Sequence, residues 1–406
     1  MNSPLDSGSI PFAKRTKRLR SSAIRDLLKL TDQPDILSLA GGLPTPDSFP
    51  MEELRREADR LLGEFGASMV QYSATEGVLA LRQWISGWAE QSFGRTVAVE
   101  GEILVTHGSQ QALDLLAKVL IDPGDVVVMQ TPAYLGAIQS MELFEPVFEA
   151  VPGDTDGLDT AVFEARLQAG LRPKLVYVVA NFHNPSGATL SLDRRHHLAR
   201  LADQYGFIIV EDDPYGAIRF AGDFVAPLAS MSDRVVHLST FSKIVAPGFR
   251  VGWMIGPPAL IAMCAKAKQA ADLHTQTFGQ QLLATVVSQP GWLERQKARI
   301  VPMYRDRCHA LGDALDDQLG GRVTFARPEG GMFLWAEVPE VSNATEFLAR
   351  AVAHGVAFVP GSAFTIDQVP SSAMRFSYST LAPVQLATAV QRFTAALDAQ
   401  VSAQTP

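Results

Sequence analysis

Lys243 stands in the stretch Thr-Phe-Ser-Lys, seven residues before Arg250. A neutral lysine amine is a nucleophile that forms Schiff bases with carbonyl compounds. An arginine guanidinium binds phosphate through two parallel hydrogen bonds, and Thr240 and Ser242 add hydroxyl donors beside it. The same stretch is also typical of a charged surface loop, so its chemistry depends on what the rest of the chain brings to it.

The stretch Thr-His-Gly-Ser-Gln-Gln predicts an anion site at the start of a helix. Gly108 permits a tight turn after an apolar strand, Ser109 occupies the expected N-cap position, and Gln110 follows. Free N–H groups at a helix N-terminus bind phosphate or carboxylate. The alternative is a capped helix without a ligand.

A carboxylate follows another apolar strand at Asp212. At about 4 Å it would favour a protonated ring nitrogen by roughly 4 kcal/mol, or about three pKa units. The alternative is a turn in which Asp213 caps the chain before Pro214. A protonated pyridine ring is an electron sink, so this position predicts carbanion chemistry on a bound cofactor.

Amide and aromatic side chains follow two further strands. Asn181 and Asn184 could donate hydrogen bonds to a phenolate oxygen, although Asx turns use the same residues. Tyr134 could stack on a flat cofactor or lie half-buried at the rim of the sheet. An anion site, a carboxylate, amides, an aromatic ring and Lys243 together predict pyridoxal 5′-phosphate, with Lys243 as its Schiff-base lysine.

Apolar strands alternate with amphipathic helices up to about residue 290, which predicts a mostly parallel α/β sheet. Ligands of such sheets bind beyond the carboxyl ends of the strands, where the polar residues above occur. Long helices and short strands then predict a smaller α+β domain. We expect an N-terminal arm and first helix over 1–46 packing on the small domain, a large cofactor domain over 47–290, and the small domain over 291–406.

Composition narrows the class of partner. The 406 residues carry a net charge of −8, with 47% hydrophobic residues, which disfavours nucleic acid as a ligand. Cys264 and Cys308 are too few for a disulfide framework or a metal cluster. No apolar run approaches the ~18 residues of a membrane span. We expect a cytoplasmic protein without a metal, a nucleic-acid partner or a membrane partner.

Taken together and in order, several motifs resemble those of the fold type I, class I/II pyridoxal-phosphate aminotransferases, most closely the 2-aminoadipate/kynurenine aminotransferase branch. The motifs are SLAGGLP, QYSATEG, GSQQALDL, NPSG, EDDPY, FSKIVAPGFRVGW, ADLHT, GGMFLW and VAFVPGSAF. The resemblance covers nearly the whole chain. It implies a mostly parallel seven-stranded sheet flanked by helices, a smaller α+β domain, and a homodimer with shared active sites.

The resemblance also implies residue roles. Lys243 would be the Schiff-base lysine and proton shuttle, Asp212 would pair with the pyridinium nitrogen, and Asn184 and Tyr215 would bond the ring oxygen. Tyr134 would stack on the ring. The phosphate would be held by Ser109, Gln110, Thr240, Ser242 and Arg250, with Tyr72 from the neighbouring subunit. The substrate would be bound by Arg375, Asn181, the backbone of Gly41 and, for a distal carboxylate, Arg25.

The expected reaction is amino transfer from a 2-aminoadipate-, aromatic- or branched-type L-amino acid to an oxoacid such as 2-oxoglutarate, with ping-pong kinetics. The same electron sink also serves lyases, decarboxylases and racemases. A remoter alternative is the effector-binding half of a regulator resembling the MocR type. No strand is followed by G-x-G-x-x-G, which disfavours a nicotinamide dehydrogenase. For Arg25 the alternative is an ordinary surface arginine.

Overall fold

The computed structural model describes residues 10–19 and 35–404. Its strands are β1 Leu37–Ser38, β2 Ile103–Thr106, β3 Val126–Thr131, β4 Val147–Asp154, β5 Gly157–Leu158, β6 Leu175–Val179, β7 Ile208–Asp212, β8 Val235–Thr240, β9 Gly252–Ile255, β10 Thr324–Phe325, β11 Phe333–Glu337, β12 Val356–Ala357, β13 Val359–Pro360 and β14 Ala373–Ser377.

The α-helices within those residues are α1 Met51–Phe65, α2 Leu79–Phe93, α3 Gly108–Leu120, α4 Leu135–Glu142, α5 Thr160–Gln168, α6 Leu192–Tyr205, α7 Pro258–Asp272, α8 Thr277–Val287, α9 Trp292–Leu319, α10 Ala344–Ala353 and α11 Pro383–Gln404. In the part of the chain that the structure describes, none of these helices is long and apolar enough to cross a membrane.

The main sheet has the strand order β2-β9-β8-β7-β6-β3-β4-β5. The run from β8 to β4 is parallel, and β9 is antiparallel to both of its neighbours. The sequence predicts seven strands, and the two-residue β5, antiparallel to β4, adds an eighth at the edge. Every residue of β6 and β8 is buried, as expected for strands covered on both faces. Because β6, β7 and β8 are parallel, their carboxyl ends meet at one edge.

The C-terminal part forms a second sheet in the order β10-β11-β14-β13. A separate apolar cluster packs against it and includes Leu39, Phe376 and Phe393. The segment after residue 35 joins this part, since β1 pairs in parallel with β12. Farther upstream, Arg18 instead reaches Glu145 of the first part, at 3.9 Å. The division into 1–46, 47–290 and 291–406 stays a prediction.

Helix α9 contributes to both apolar clusters. Its first half places Trp292 and Ile300 in the cluster around the main sheet. Its second half places Leu311 and Leu315 in the cluster of the C-terminal part. A single 28-residue helix therefore spans the two cores.

Candidate active site

A cavity of about 520 Å³ opens at the carboxyl edge of the main sheet. It is lined by most of the residues that the sequence singles out: Ser109, Gln110, Tyr134, Asn184, Asp212, Tyr215, Thr240, Ser242, Lys243, Arg250 and Arg375. Most of them come together because they stand at or just after the carboxyl end of a strand at this edge. Arg250 instead precedes the antiparallel β9, and Arg375 enters from β14.

One end of the cavity is built around the turn before α3. The helix begins at Gly108, so His107 and not Ser109 is its N-cap residue. Gly108 has φ +69°, and a Cβ atom there would lie 2.8 Å from Nη2 of Arg250. Only glycine satisfies both the backbone conformation and this close approach. The turn and the guanidinium together place several N–H donors at one point.

Hydroxyl groups complete this end. Ser109 Oγ is buried and has no hydrogen-bond partner within the described residues. Thr240 Oγ1 accepts a hydrogen bond from the Ser242 backbone N–H at 3.1 Å. Backbone N–H groups, hydroxyls and a guanidinium are the donors that phosphate oxygens require.

Asp212 lies in the floor of the cavity at the end of β7. Its Oδ2 accepts a hydrogen bond from the hydroxyl of Tyr177 at 2.8 Å, whereas its Oδ1 is buried without a partner in the described structure. Burial raises the pKa of Asp212 to about 7, although the hydrogen bond from Tyr177 acts in the opposite direction. A cation placed beside Oδ1 would restore the carboxylate form.

Lys243 faces the same space. Its Nζ donates to the backbone carbonyl of Gly42 at 3.0 Å and lies 5.8 Å from the centroid of the Tyr215 ring. Burial lowers the pKa of Lys243 to about 8, with further contributions from Arg250 and Arg375. About a tenth of the amine is therefore neutral at pH 7, and the neutral form is the one that acts as a nucleophile and a base.

Arg375 is only 2% exposed and is fixed on several sides. Its Nη1 donates to Asn184 Oδ1 at 2.9 Å and its Nη2 donates to the Ala40 carbonyl at 2.6 Å. The guanidinium lies 4.2 Å from the centroid of the Phe333 ring. Burial lowers the pKa of Arg375 to about 10, so the group remains a cation at neutral pH and can bind a carboxylate.

Comparison with known proteins identifies the family. The family model "Aminotransferase class I and II" matches residues 34–393. The chain belongs to the class I and II aminotransferases.

Among similar relatives, the aromatic-amino-acid aminotransferase 1 of Thermococcus litoralis is 38% identical over 94% of this chain and 92% of its own length. The 2-aminoadipate transaminase of Thermus thermophilus is 38% identical over 96% and 97%. A solved structure of the α-aminoadipate aminotransferase LysN from Thermus thermophilus, complexed with N-(5′-phosphopyridoxyl)-L-leucine, superimposes with a TM-score of 0.89. That pair shares 36% identity and covers 96% of this chain and 98% of the other. These findings confirm the predicted fold type I and a pyridoxal-phosphate-dependent aminotransferase.

The residues of this aminotransferase fit pyridoxal phosphate. Seven buried side-chain polar atoms lack partners in the described part of the chain. Three of them, Ser109 Oγ, Asp212 Oδ1 and Arg375 Nε, belong to residues that line this cavity. A hydroxyl, a carboxylate and a guanidinium complement a phosphate, a protonated ring nitrogen and a substrate carboxylate, respectively.

Two residues that are predicted to bind the substrate, Asn181 and Gly41, are not among those that line this cavity. Asn181 Oδ1 accepts a hydrogen bond from Arg195 Nη2 at 2.8 Å, and Asn181 lines a separate cavity of about 130 Å³. Phe182, which lies between Asn181 and Asn184, has a positive φ of +49°. Gly41 is buried, and the next residue, Gly42, forms the cavity wall.

The remaining predictions differ in outcome. Tyr72 is 77% exposed and does not line the cavity of its own chain, so a role across subunits stays a prediction. Gln110 lines the cavity, but its Nε2 already donates to the Gly136 carbonyl at 2.8 Å. Arg25 lies outside the described residues. The sequence does not indicate that Tyr177 contacts Asp212, because a tyrosine inside the apolar run Leu-Val-Tyr-Val-Val is typical of an ordinary core position.

Proposed function

We propose that this aminotransferase takes its amino group from a 2-aminoadipate-, aromatic- or branched-type L-amino acid and gives it to 2-oxoglutarate. The supporting observation is the charge of the cavity wall. Its described cations are Lys243, Arg250 and Arg375, and the chemistry above engages all three. The cavity wall also includes Leu43, Pro44 and Phe333, and Phe333 lies against Arg375, which suits an apolar or aromatic side chain.

A substrate with a distal carboxylate needs one more cation. We propose Arg25 for this role, because the described wall has no further guanidinium to offer. The same residue would let 2-oxoglutarate and 2-aminoadipate share the site. The relatives named for aromatic and for 2-aminoadipate substrates support this pair of side-chain classes.

Each side chain then has a defined task, and Asn184 has two. Ser109, Arg250, Thr240 and Ser242 would hold the phosphate. Asp212 would face the ring nitrogen, Asn184 and Tyr215 the ring oxygen, and Tyr134 the ring face. Arg375 would bind the substrate α-carboxylate, with Asn184 fixing the guanidinium.

Bound pyridoxal phosphate supplies an electron sink that makes the substrate Cα–H acidic. Lys243 supplies the base. Its amine, once free and neutral, takes the proton from the substrate Cα, and it donates a proton to Cα when the second oxoacid becomes an amino acid. A pKa of about 8 matches this task, because a base works best when its pKa lies near the working pH. The oxoacid formed from the donor leaves the site before the second oxoacid binds there, which gives ping-pong kinetics.

We also propose a homodimer in which Tyr72 reaches the phosphate of the partner subunit. Val70, 71% exposed, lines a surface groove together with Tyr72, and Phe65 nearby in the sequence is 51% exposed. An interface would remove this apolar area from water. A cytoplasmic location stays a prediction.

The testing experiment follows the visible absorbance of the bound cofactor while single amino acids are added. A productive donor should abolish the absorbance, and 2-oxoglutarate should restore it. If no donor of the three types changes the absorbance, or if 2-oxoglutarate never restores it, the proposal is wrong.

Arg25→Ala tests the distal-carboxylate role. We expect lower kcat/KM for dicarboxylic substrates and little change for monocarboxylic ones. Arg55→Ala, at an exposed arginine on α1, is the matched control. An equal loss for both substrate classes would remove Arg25 from the site.

A further inference from the structure

A buried lysine on α7 lies at the centre of a polar cluster behind the cavity. The Lys268 side chain is 0% exposed, and its Nζ donates to Asp272 Oδ2 at 2.8 Å and to Gln111 Oε1 at 2.9 Å. Gln111 Nε2 donates to Asp272 Oδ2 at 2.6 Å, and His107 Nδ1 lies 2.8 Å from the same oxygen. These four residues are called the Lys268 cluster below.

The Lys268 cluster holds the residue that precedes the phosphate-binding turn. The backbone N–H of His107 donates to Gln111 Oε1 at 2.8 Å, while its ring meets Asp272. His107 is therefore fixed through both its backbone and its side chain. The next two residues are Gly108, with φ +69°, and Ser109, whose hydroxyl has no partner among the described residues.

The cluster does not itself touch the cavity. None of its four residues is among those that line the wall, so any effect on a ligand is indirect, and the turn that begins at His107 offers a route for it. The turn thus has two sides: the cluster supports one, and the cavity with Arg250 faces the other.

Charge explains why a lysine is needed. Burial acts to raise the pKa of Asp272, but hydrogen bonds from Lys268 and Gln111 hold it below the usual value. Asp272 is therefore a carboxylate close to the start of α3. Without the Lys268 ammonium its charge would be poorly neutralised beside an anion-binding turn, where like charges repel.

We propose that the Lys268 cluster sets the position of the 107–109 turn and thereby the affinity for the cofactor's phosphate, with Lys268 as its central positioning residue. The inference rests on the phosphate roles proposed for Ser109 and Arg250. It adds a set of residues that act on the phosphate without contacting it.

The test measures how tightly the Lys268→Met enzyme retains cofactor. Holoenzyme is depleted by dialysis and titrated with pyridoxal 5′-phosphate or with pyridoxal, which lacks the phosphate. We expect about tenfold weaker binding of the phosphate form, the equivalent of one charge-assisted hydrogen bond, and less than about twofold change for pyridoxal. Lys266→Met, at an exposed lysine of the same helix, is the matched control and should bind both as the unmodified enzyme does.

Gln111→Met provides a second variant, because Lys268→Met removes a buried charge and could impair folding. It deletes the acceptor of the His107 N–H at a partly exposed helix position, and we expect the same selective loss. Weakening of both ligands to the same extent, or a lower Tm with unchanged affinities, would show a merely structural role and overturn the inference.

Ser109→Ala separates this inference from the proposed site. If Ser109→Ala leaves the preference for the phosphate form intact, the phosphate role of Ser109 is wrong, and the inference loses its basis. If Ser109→Ala reduces the preference while Lys268→Met and Gln111→Met do not, only the inference fails.

Discussion

Asp212→Asn should stabilise the cofactor-free enzyme although it removes activity. Burial raises the pKa of Asp212 from 3.8 to about 7, which corresponds to roughly 4 kcal/mol between its two protonation states. The asparagine amide has nearly the same shape, carries no charge and still offers an oxygen to the hydroxyl of Tyr177. At pH 8 we therefore expect the variant to gain up to about 4 kcal/mol in free energy of unfolding.

The gain should depend on pH in a defined direction. Between about pH 4 and pH 7 the folded protein keeps the Asp212 proton that the unfolded chain has released, so the folded state binds more protons. The stability of the unmodified protein must then fall as pH rises through this window. Asparagine does not titrate, so the two proteins should differ little near pH 4 and differ fully above pH 7.

Urea unfolding of both cofactor-free proteins from pH 5 to pH 8 measures this difference. Asp59→Asn, at an exposed position of α1, is the control: it keeps Asp212, so its stability should follow that of the unmodified protein across this range. If Asp212→Asn is no more stable than the unmodified protein at pH 8, or if the gap is constant with pH, the reasoning about the buried carboxylate is wrong. Steady-state assays should show loss of turnover in the same variant.

Three further results are expected. Tyr177→Phe removes a hydrogen bond to the Asp212 carboxylate, so kcat should fall about tenfold; an unchanged kcat would contradict this role. Gly108→Ala should weaken cofactor binding at least about tenfold in titrations because its φ of +69° disfavours a side chain. Gly87→Ala, which has open space around it, is the control, and equal affinities would refute the argument. The rate of cofactor uptake should rise roughly tenfold per pH unit and level off near the pKa of Lys243, about 8. A rate that levels off only above pH 10 would contradict the lowered pKa of this lysine.

Much of the site follows from the sequence because a parallel sheet brings its carboxyl strand ends to one edge. Ser109, Asp212 and Lys243 each stand at or after the end of an apolar run, so their convergence requires only that the runs be strands of one sheet that point the same way. Arg375 is different, since an arginine in a short C-terminal strand is informative only through its resemblance to a family motif.

Other features depend on contacts that sequence patterns do not encode. Asn181 and Asn184 have the same chemistry, but only Asn184 lines the cavity, and Phe182 between them has a positive φ that the sequence pattern does not reveal. The period of a buried strand predicts that Tyr177 is inside, but the partner of its hydroxyl lies on the next strand. Similarly, the sequence pattern of Lys268 is that of a surface lysine on an amphipathic helix. Only the structure shows its hydrogen bond to Gln111 on α3.

The shared helix α9 has a consequence for cooperativity. Its 28 residues extend for about 42 Å, and its two halves are buried in different apolar clusters. If either cluster unfolded, one half of the helix would lose its packing contacts. That half would then be only marginally stable, because short isolated helices are marginal in water. Cutting the chain near residue 290 would likewise leave the first core without Trp292 and Ile300. The two parts should therefore melt as one unit, and neither is expected to survive alone as a folded fragment.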